Sequence, residues 1–361
     1  MGQSGTILTS PEGTTWTERT SGVSGFLYGV TYGNGLFVTV GQSGTILTSS
    51  DGTSWTSRTS GTSNSLVGVT YENGLFVTGG DIGTILTSTD GTSWTSRTSG
   101  TSNTLNGVTY GNSTFVVVGN SGTILTSPDG TTWTAQTSGT GEGLYGVTFA
   151  SGIFVTVGDS GKILTSQDGA TWTTQASGSL NDFKNISYGN GTFVTVGSAG
   201  TILASPDGIT WNGQNTNIVN NLFGISYGNY TFVAVGATGT IITSPDGTTW
   251  TTQSSGTTTF LQRVAYGNST FVAVGEAGTM LTSNDVTSTS SATVSTVSMS
   301  GTDNSTSNYY ERMTSSGDAL YLSGSGSGSS SMIRPVFSVA LGSANGRWKR
   351  ETVASINRKL P

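Results

Sequence analysis

Short apolar runs separated by glycine- and asparagine-rich breaks recur along the chain at a fixed spacing. In the stretch 27–60, LYGVTY (27–32) alternates, GNG (33–35) breaks it, and LFVTV (36–40) follows. GQSG (41–44) is the next break, TILTS (45–49) the third run, SDG (50–52) the third break and TSWTSRTS (53–60) the fourth run. Period-two alternation of β-branched and aromatic residues predicts strands, and Gly or Asn between them supplies positive φ at little steric cost. No stretch of the repeated units shows helical periodicity. Each unit therefore predicts four short antiparallel strands, labelled A to D.

The unit is 39 residues long and repeats without insertion or deletion over 2–40, 41–79, 80–118, 119–157, 158–196, 197–235 and 236–274, with a truncated eighth copy, GEAGTMLTSND, at 275–285. Four short strands per unit of about 40 residues is the pattern of a β-propeller blade. Strand A begins near Leu27, Leu66, Leu105, Leu144, Phe183, Leu222 and Leu261; strand B carries Phe37, Phe76, Phe115, Phe154, Phe193, Phe232 and Phe271. Strand D is expected to carry Trp16, Trp55, Trp94, Trp133, Trp172, Trp211 and Trp250. Strand C alone occurs eight times. The chain opens on C and D and its last full copy ends on A and B, so the two ends are expected to complete one blade and close a seven-bladed ring without a free sheet edge. Either 5–10 or 278–283 fills the third strand of that blade, and the N-terminal copy is favoured.

The turn before each Trp reads SSDGTSW (49–55), STDGTSW (88–94), SPDGTTW (127–133), SQDGATW (166–172), SPDGITW (205–211) and SPDGTTW (244–250), with SPEGTTW (10–16) as a Glu variant. This motif resembles the Asp box of BNR-type propellers, found in sialidases and photosystem II assembly-factor propellers, although it is one residue shorter than S-x-D-x-G-x-T-W. The resemblance spans about residues 2–285 and implies a propeller fold rather than an activity. Asp51, Asp90, Asp129, Asp168, Asp207 and Asp246 are expected to accept backbone N–H bonds inside their turns, Gly to take the strained position, and Trp to pack between blades.

Composition removes several chemistries. The 361 residues include no Cys and no His, which excludes disulfides, the common zinc and haem ligand sets and a His-based triad. One carboxylate per turn is thin for calcium, so no metal or cofactor is expected. A formal charge of −6 argues against nucleic acid, and no apolar run approaches the ~20 residues of a membrane span. The sialidase resemblance implies clustered arginines and a Tyr nucleophile backed by a carboxylate. Arg19, Arg58 and Arg97 share one column of the outermost strand on three successive blades and cannot converge; only Arg263, in strand A, lies near the channel. No catalytic residue is assigned, and the protein is expected not to be an enzyme.

Copies differ from one another in two places. One lies between strands D and A, as in VSGFLY (23–28), TGEGLY (140–145) and IVNNLF (218–223); the other is the second residue of the B–C turn, Gln3, Gln42, Asp81, Asn120, Asp159, Ser198, Ala237 and Glu276. Strand alternation puts both on one face of the disc, around the channel mouth, and places the A–B and Asp turns on the other. Tyr28, Asn106, Tyr145, Lys184, Phe223 and Gln262 are the candidate ligand-binding residues, with aromatic rings suited to sugars or to a protein hot spot.

Beyond Asp285 the composition changes. Residues 286–308 read as a Ser/Thr-rich linker and 309–361 as a small β-rich attachment module, with strands suggested by YYERM, ALYLSG and MIRPVFSVALG and a basic tail, in part helical. The propeller, 1–285, is acidic: residues 1–284 hold six basic and fourteen acidic side chains, a net −8, against +2 for the remainder. This suggests that the module docks onto another subunit. The repeats resemble propellers in phage structural and bacterial surface proteins. That resemblance implies a virion or cell-surface protein, a tail or capsid-decorating adhesin binding a glycan or host receptor, attached to other subunits through its C-terminal module. The same resemblance implies localisation at the virion or extracellular surface; no Sec-type signal peptide is seen. A scaffold for assembling another protein complex is the alternative, and a sialidase-like glycosidase the third reading.

Overall fold

A computed structural model describes residues 6–276 and four short strands beyond them. Two compact units divide the chain, Met1–Ser290 and Ser291–Pro361. In the first blade, strand A is Leu27–Gly33, B is Leu36–Gly41, C is Ile46–Ser49 and D is Thr56–Arg58. Blades 2 to 6 repeat this order from strand A at Leu66–Glu72, Leu105–Gly111, Leu144–Ala150, Phe183–Gly189 and Leu222–Gly228. Each blade is a four-stranded antiparallel sheet.

The seventh blade joins the two ends. Strands Leu261–Gly267 and Thr270–Gly275 supply A and B; Thr6–Ser10 and Thr17–Thr20 supply C and D. The pairing Ile7↔Val274, Leu8↔Ala273, Thr9↔Val272 and Ser10↔Phe271 matches the B–C register of the first blade, where Ile46 opposes Val40 and Ser49 opposes Phe37. The N-terminal copy therefore closes the ring; the second copy, 278–283, lies outside the described residues. Successive A strands touch all the way round, including A of blade 7 with A of blade 1, and so enclose the channel.

Every blade is covered on both faces by its neighbours, which explains the sequence pattern. Strand B is buried almost throughout and reads as a near-continuous apolar run. Its buried threonines need acceptors: Thr39, Thr78 and Thr156 donate to the carbonyls of Gly29, Gly68 and Gly146 at 2.8, 2.8 and 2.9 Å. Core clusters lie between blades. Phe37, Leu27 and Leu47 of blade 1 pack with Val272, Val274 and Ile7 of blade 7, and Trp55 covers them.

Strand D is shorter than expected, three residues in blades 1 to 6, and the Trp precedes it. The indole is claimed by the turn. Ser49 Oγ accepts from Gly52 N at 2.8 Å, Asp51 Oδ1 accepts from Thr53 N at 2.7 Å and Ser54 N at 3.0 Å, Gly52 sits at φ 74°, and Trp55 Nε1 donates to Gly52 O at 3.0 Å. Holding Nε1 this way keeps the Trp out of the strand ladder. The same contacts recur around Asp90, Asp168, Asp207 and Asp246; Asp129 keeps its backbone contacts, but Trp133 Nε1 is buried without a partner. Glu12, one carbon longer, reaches Thr15 N at 3.3 Å.

These turns make stability pH-dependent. Backbone N–H groups of Thr171 and Ala170 hold Asp168 at about 2, and those of Thr210 and Ile209 hold Asp207 at about 2. Asp51, Asp90 and Asp129 also lie well below the ordinary carboxylate range, through hydrogen bonds from Thr53, Ser93 and Thr131 respectively. A carboxyl group whose folded pKa is depressed takes up a proton more readily when unfolded, so its contribution is present above the unfolded value, near 4, and disappears as pH falls through the folded one. We therefore expect thermal midpoints to agree between pH 7 and 5 and to fall steeply between about pH 4 and 2. Protonation of these five turns without a change in midpoint would show that their carboxylates do not hold the blades.

The second unit contains two antiparallel strand pairs, Arg312–Ser316 with Ala319–Ser323 and Ser338–Leu341 with Lys349–Thr352. The tail expected to be partly helical thus contains a strand at Lys349–Thr352. The 286–308 linker lies outside the described residues.

Candidate functional site

Strand A breaks its own ladder at its second residue. Leu27 opposes Gly41 and Gly29 opposes Val40, so Tyr28 is skipped. The same bulge occurs in all seven blades, between Leu66 and Gly68, Leu105 and Gly107, Leu144 and Gly146, Phe183 and Asn185, Leu222 and Gly224, and Leu261 and Arg263. A bulge leaves one residue unpaired and re-aims its side chain. Glycine opposite the bulge is required by space: a Cβ at Gly41 would lie 2.1 Å from the Phe26 carbonyl oxygen.

Tyr28, Asn106, Tyr145, Lys184, Phe223 and Gln262 are all bulged residues, with Val67 completing the ring. Three of these side chains reach the B–C turn fourteen residues on, while Lys184 reaches Asp182 and the preceding B–C turn at Asp159. Asn106 Nδ2 donates to Asn120 Oδ1 at 2.9 Å, Tyr145 Oη to Asp159 Oδ2 at 2.9 Å and Gln262 Nε2 to Glu276 Oε1 at 3.1 Å. In these three blades the two variable columns of the sequence are therefore contact partners, and where the bulged residue is Phe223 the turn residue is Ala237. The opposite face is also as expected, since Asn112, Asn190 and Asn268 of A–B turns donate to backbone carbonyls of Asp turns at Gln167, Pro245 and Ser50.

The mouth is polarised. Around blades 4 and 5, Lys184 Nζ lies 3.1 Å from Asp182 Oδ2, 3.5 Å from Asp159 Oδ1 and 4.2 Å from the centre of the Tyr145 ring. Around blades 6, 7 and 1 the rings gather: Phe223 and Phe260 are 6.0 Å apart, and Phe26 and Tyr28 6.1 Å. Asn106 differs from the other candidates. It is buried, and its amide also donates to Leu144 O at 2.9 Å, so it braces blade 3 against blade 4 rather than facing solvent.

Tyr145 and Asp159 form a tyrosine–carboxylate pair that sequence reasoning missed. Its electrostatics oppose nucleophilic use. Burial first, then the hydrogen bond to Asp159, push the phenol up to about 12, so it stays protonated and donates. Arg19, Arg58 and Arg97 stand in strand D of blades 7, 1 and 2, with Arg58 and Arg97 Nε tied to Thr48 and Thr87 Oγ1 at 2.9 Å. They line no common site. Among the described residues, no group of three or more His, Cys, Asp or Glu could hold a metal ion. No helix among them is long and apolar enough to cross a membrane.

The structure adds surface residues that sequence comparison passed over. Ile82, Leu180, Val219 and Phe260 are 67%, 89%, 83% and 39% exposed, all in D–A loops or B–C turns. Ile82 also sits at φ 54°, a left-handed conformation that a β-branched residue rarely adopts. The signal was present: Leu180 and Val219 replace Ser24, Ser63, Ser102 and Gly141 of other copies, and Ile82 replaces Ser43, Ser121 and Ser160.

The chain is thus a seven-bladed, all-β propeller with a decorated channel mouth. No family model matches the sequence, and no curated protein matches it. Among solved structures it is similar to "YCF48 bound to D1 peptide", at a TM-score of 0.60 and 16% identity over 77% of this chain and 94% of that one. It is also similar to YCF48 from Cyanidioschyzon merolae, at a TM-score of 0.58 and 17% identity over 73% and 95% of the two chains. At such identity the likeness is one of fold.

Proposed function

We propose that this protein is a non-enzymatic scaffold that holds a peptide segment of another protein across the mouth of its propeller. The observation that carries this reading is the convergence, on one face, of the bulged side chains, their turn partners and the exposed apolar residues. Rings at Phe223, Phe260, Phe26 and Tyr28 suit apolar side chains of a partner, and the adjacent carboxylates suit basic ones. The likeness to a propeller solved with a D1 peptide supports the scaffold reading over virion attachment or glycan receptor binding.

Peptide and glycan arrays probed in parallel with the full chain test this. Peptides are expected to bind and glycans not. Tyr28→Ser/Phe223→Ser/Phe260→Ser should weaken the selected peptides about ten-fold or more, since interface aromatics commonly contribute 1–2 kcal/mol or more each. Ile209→Ser/Tyr230→Ser, on the opposite face, should leave binding intact. Binding to glycans alone, or equal loss from both variants, would overturn the reading.

A further inference from the structure

The third residue of strand A is glycine in five blades, at Gly29, Gly68, Gly107, Gly146 and Gly224. The inner strands run so close that a Cβ at Gly29 would lie 2.5 Å from the Val67 carbonyl oxygen, and one at Gly107 2.6 Å from that of Tyr145. Blade 7 places Arg263 at this position. Five blades form with glycine there, so the fold does not demand an arginine.

Arg263 Nη1 donates to Phe223 O at 2.7 Å and Gln262 O at 2.9 Å, the main-chain carbonyls of the bulged residues of blades 6 and 7. Among the described residues no carboxylate pairs with it; both ion pairs there belong to Lys184. Its Nε and Nη2 donate to no partner among the described residues, yet they are not among the sealed unpaired atoms, which are Thr9 Oγ1, Arg19 Nε and Trp133 Nε1. The side chain is half-buried, and the ring of inner strands leaves only the channel for its open side. Burial lowers its pKa to about 10, so it remains a cation at neutral pH. A half-buried cation without a counter-charge keeps an unsatisfied edge, and the free edge of a guanidinium matches a carboxylate with two parallel hydrogen bonds.

We infer that Arg263 anchors a carboxylate of the peptide that the channel mouth binds. The inference rests on the proposed function and names the chemistry that selects the ligand. Arg263 holds the carbonyl of Phe223, whose ring faces Phe260, so the residue carrying the carboxylate meets an apolar wall. Glu276 and Asp81, whose charges reach Tyr28, disfavour further acidic residues around it.

Four probes test this on the full chain: acetyl-Lys-Gly-Phe as the free acid, the same peptide as the amide, acetyl-Lys-Gly-Glu amide, and sodium acetate. The readouts are the dissociation constant and the Arg263 Nε–Hε NMR resonance, assigned by its loss in Arg263→Lys. The free acid should shift that resonance and bind about ten-fold or more tightly than its amide, as expected for a charge-assisted pair. Arg263→Gln should abolish the difference, and Arg263→Lys, which keeps charge but not the fork, should reduce it. The acid–amide comparison on the unmodified protein stands even where a variant folds poorly. Tight binding by the Glu amide would support the anchor and assign the carboxylate to a side chain rather than a terminus. Acetate binding as tightly as the peptide would overturn the peptide assignment in favour of a free-anion site. Equal binding of acid and amide with the resonance unmoved would overturn the anchor while leaving the peptide-binding face standing. An unmoved resonance with all four probes at millimolar concentration would overturn it too.

Discussion

A chain lacking residues 1–20 should fail to give a cooperative unfolding transition and should aggregate. Those residues supply two of the four strands of blade 7, and their side chains belong to two neighbouring cores. Ile7 packs with Leu27, Val30, Phe37 and Leu47 of blade 1, whereas Leu8 and Trp16 pack with Val233, Val235 and Ile241 of blade 6. Ile7 and Leu8 are fully buried and Trp16 is 8% exposed. At 1.5–3 kcal/mol per buried side chain, losing these three removes roughly 5–9 kcal/mol, against a net stability of about 5–15 kcal/mol for an ordinary domain. The deletion also bares strand Thr270–Gly275, whose Val272 and Val274 are fully buried in the closed ring, as an unpaired apolar edge. Residues 279–283, TMLTS, repeat the missing strand C but bring neither a strand D nor a Trp. Circular dichroism and size-exclusion chromatography would check this, with a synthetic peptide of residues 2–20 expected to restore the folded state. A truncated chain melting within a few degrees of the whole one would show that the second copy closes the ring.

The ring was legible because its signals are local and repeated seven times. Strands A, B and C follow from alternation bounded by glycine, and the count of strand types forces closure by the two ends. Strand D was overread, because TSWTSRTS looks like one run while Trp55 is bonded back to Gly52 O and only Thr56–Arg58 pair. The bulge was hidden for a related reason. LYGVTY alternates without a visible break, and only the register shows Tyr28 skipped. The candidate residues were found without it, because positions freed from the ladder are the ones at which copies can differ. Their pairing with the B–C turn was not legible, since fourteen intervening residues carry no mark of the contact. Ile82 was missed because it is the one large apolar residue of its column, and Leu180 because only it and Val219 are large and apolar in theirs. Arg263 stood out as the one arginine of strand A, but its lack of a counter-charge among the described residues is a property of the assembled channel.

Phe154→Ala should destabilise the propeller by about 3–5 kcal/mol, the range for emptying a buried aromatic site, and should do so in one transition. The ring is fully buried at the second residue of strand B of blade 4, Ile153–Gly158. It lies 4.6 Å from Phe149 of strand A and 6.3 Å from Trp172 at the Asp turn, both tilted. Val116, Val118 and Ile124 of blade 3 complete the cluster, so the cavity would open at a blade interface. Relaxation is poor there: Gly169 lies against the ring edge, where a Cβ would come within 3.6 Å of Phe154 Cε2, and it is held at φ 75° by the Asp168 turn, so it cannot move inward without breaking those hydrogen bonds. In an open solenoid such damage would melt one repeat and spare distant ones. A closed ring has no terminal repeat to fray, and each blade is half of two interfaces, so the loss should shift the whole transition. Urea unfolding followed by tryptophan fluorescence should therefore show a lower midpoint with an unchanged slope. Tyr230→Ala, at an 83% exposed position of an A–B turn, should stay within about 0.5 kcal/mol of the parent. Two separate transitions in Phe154→Ala would mean that the blades unfold independently and that closure does not couple them.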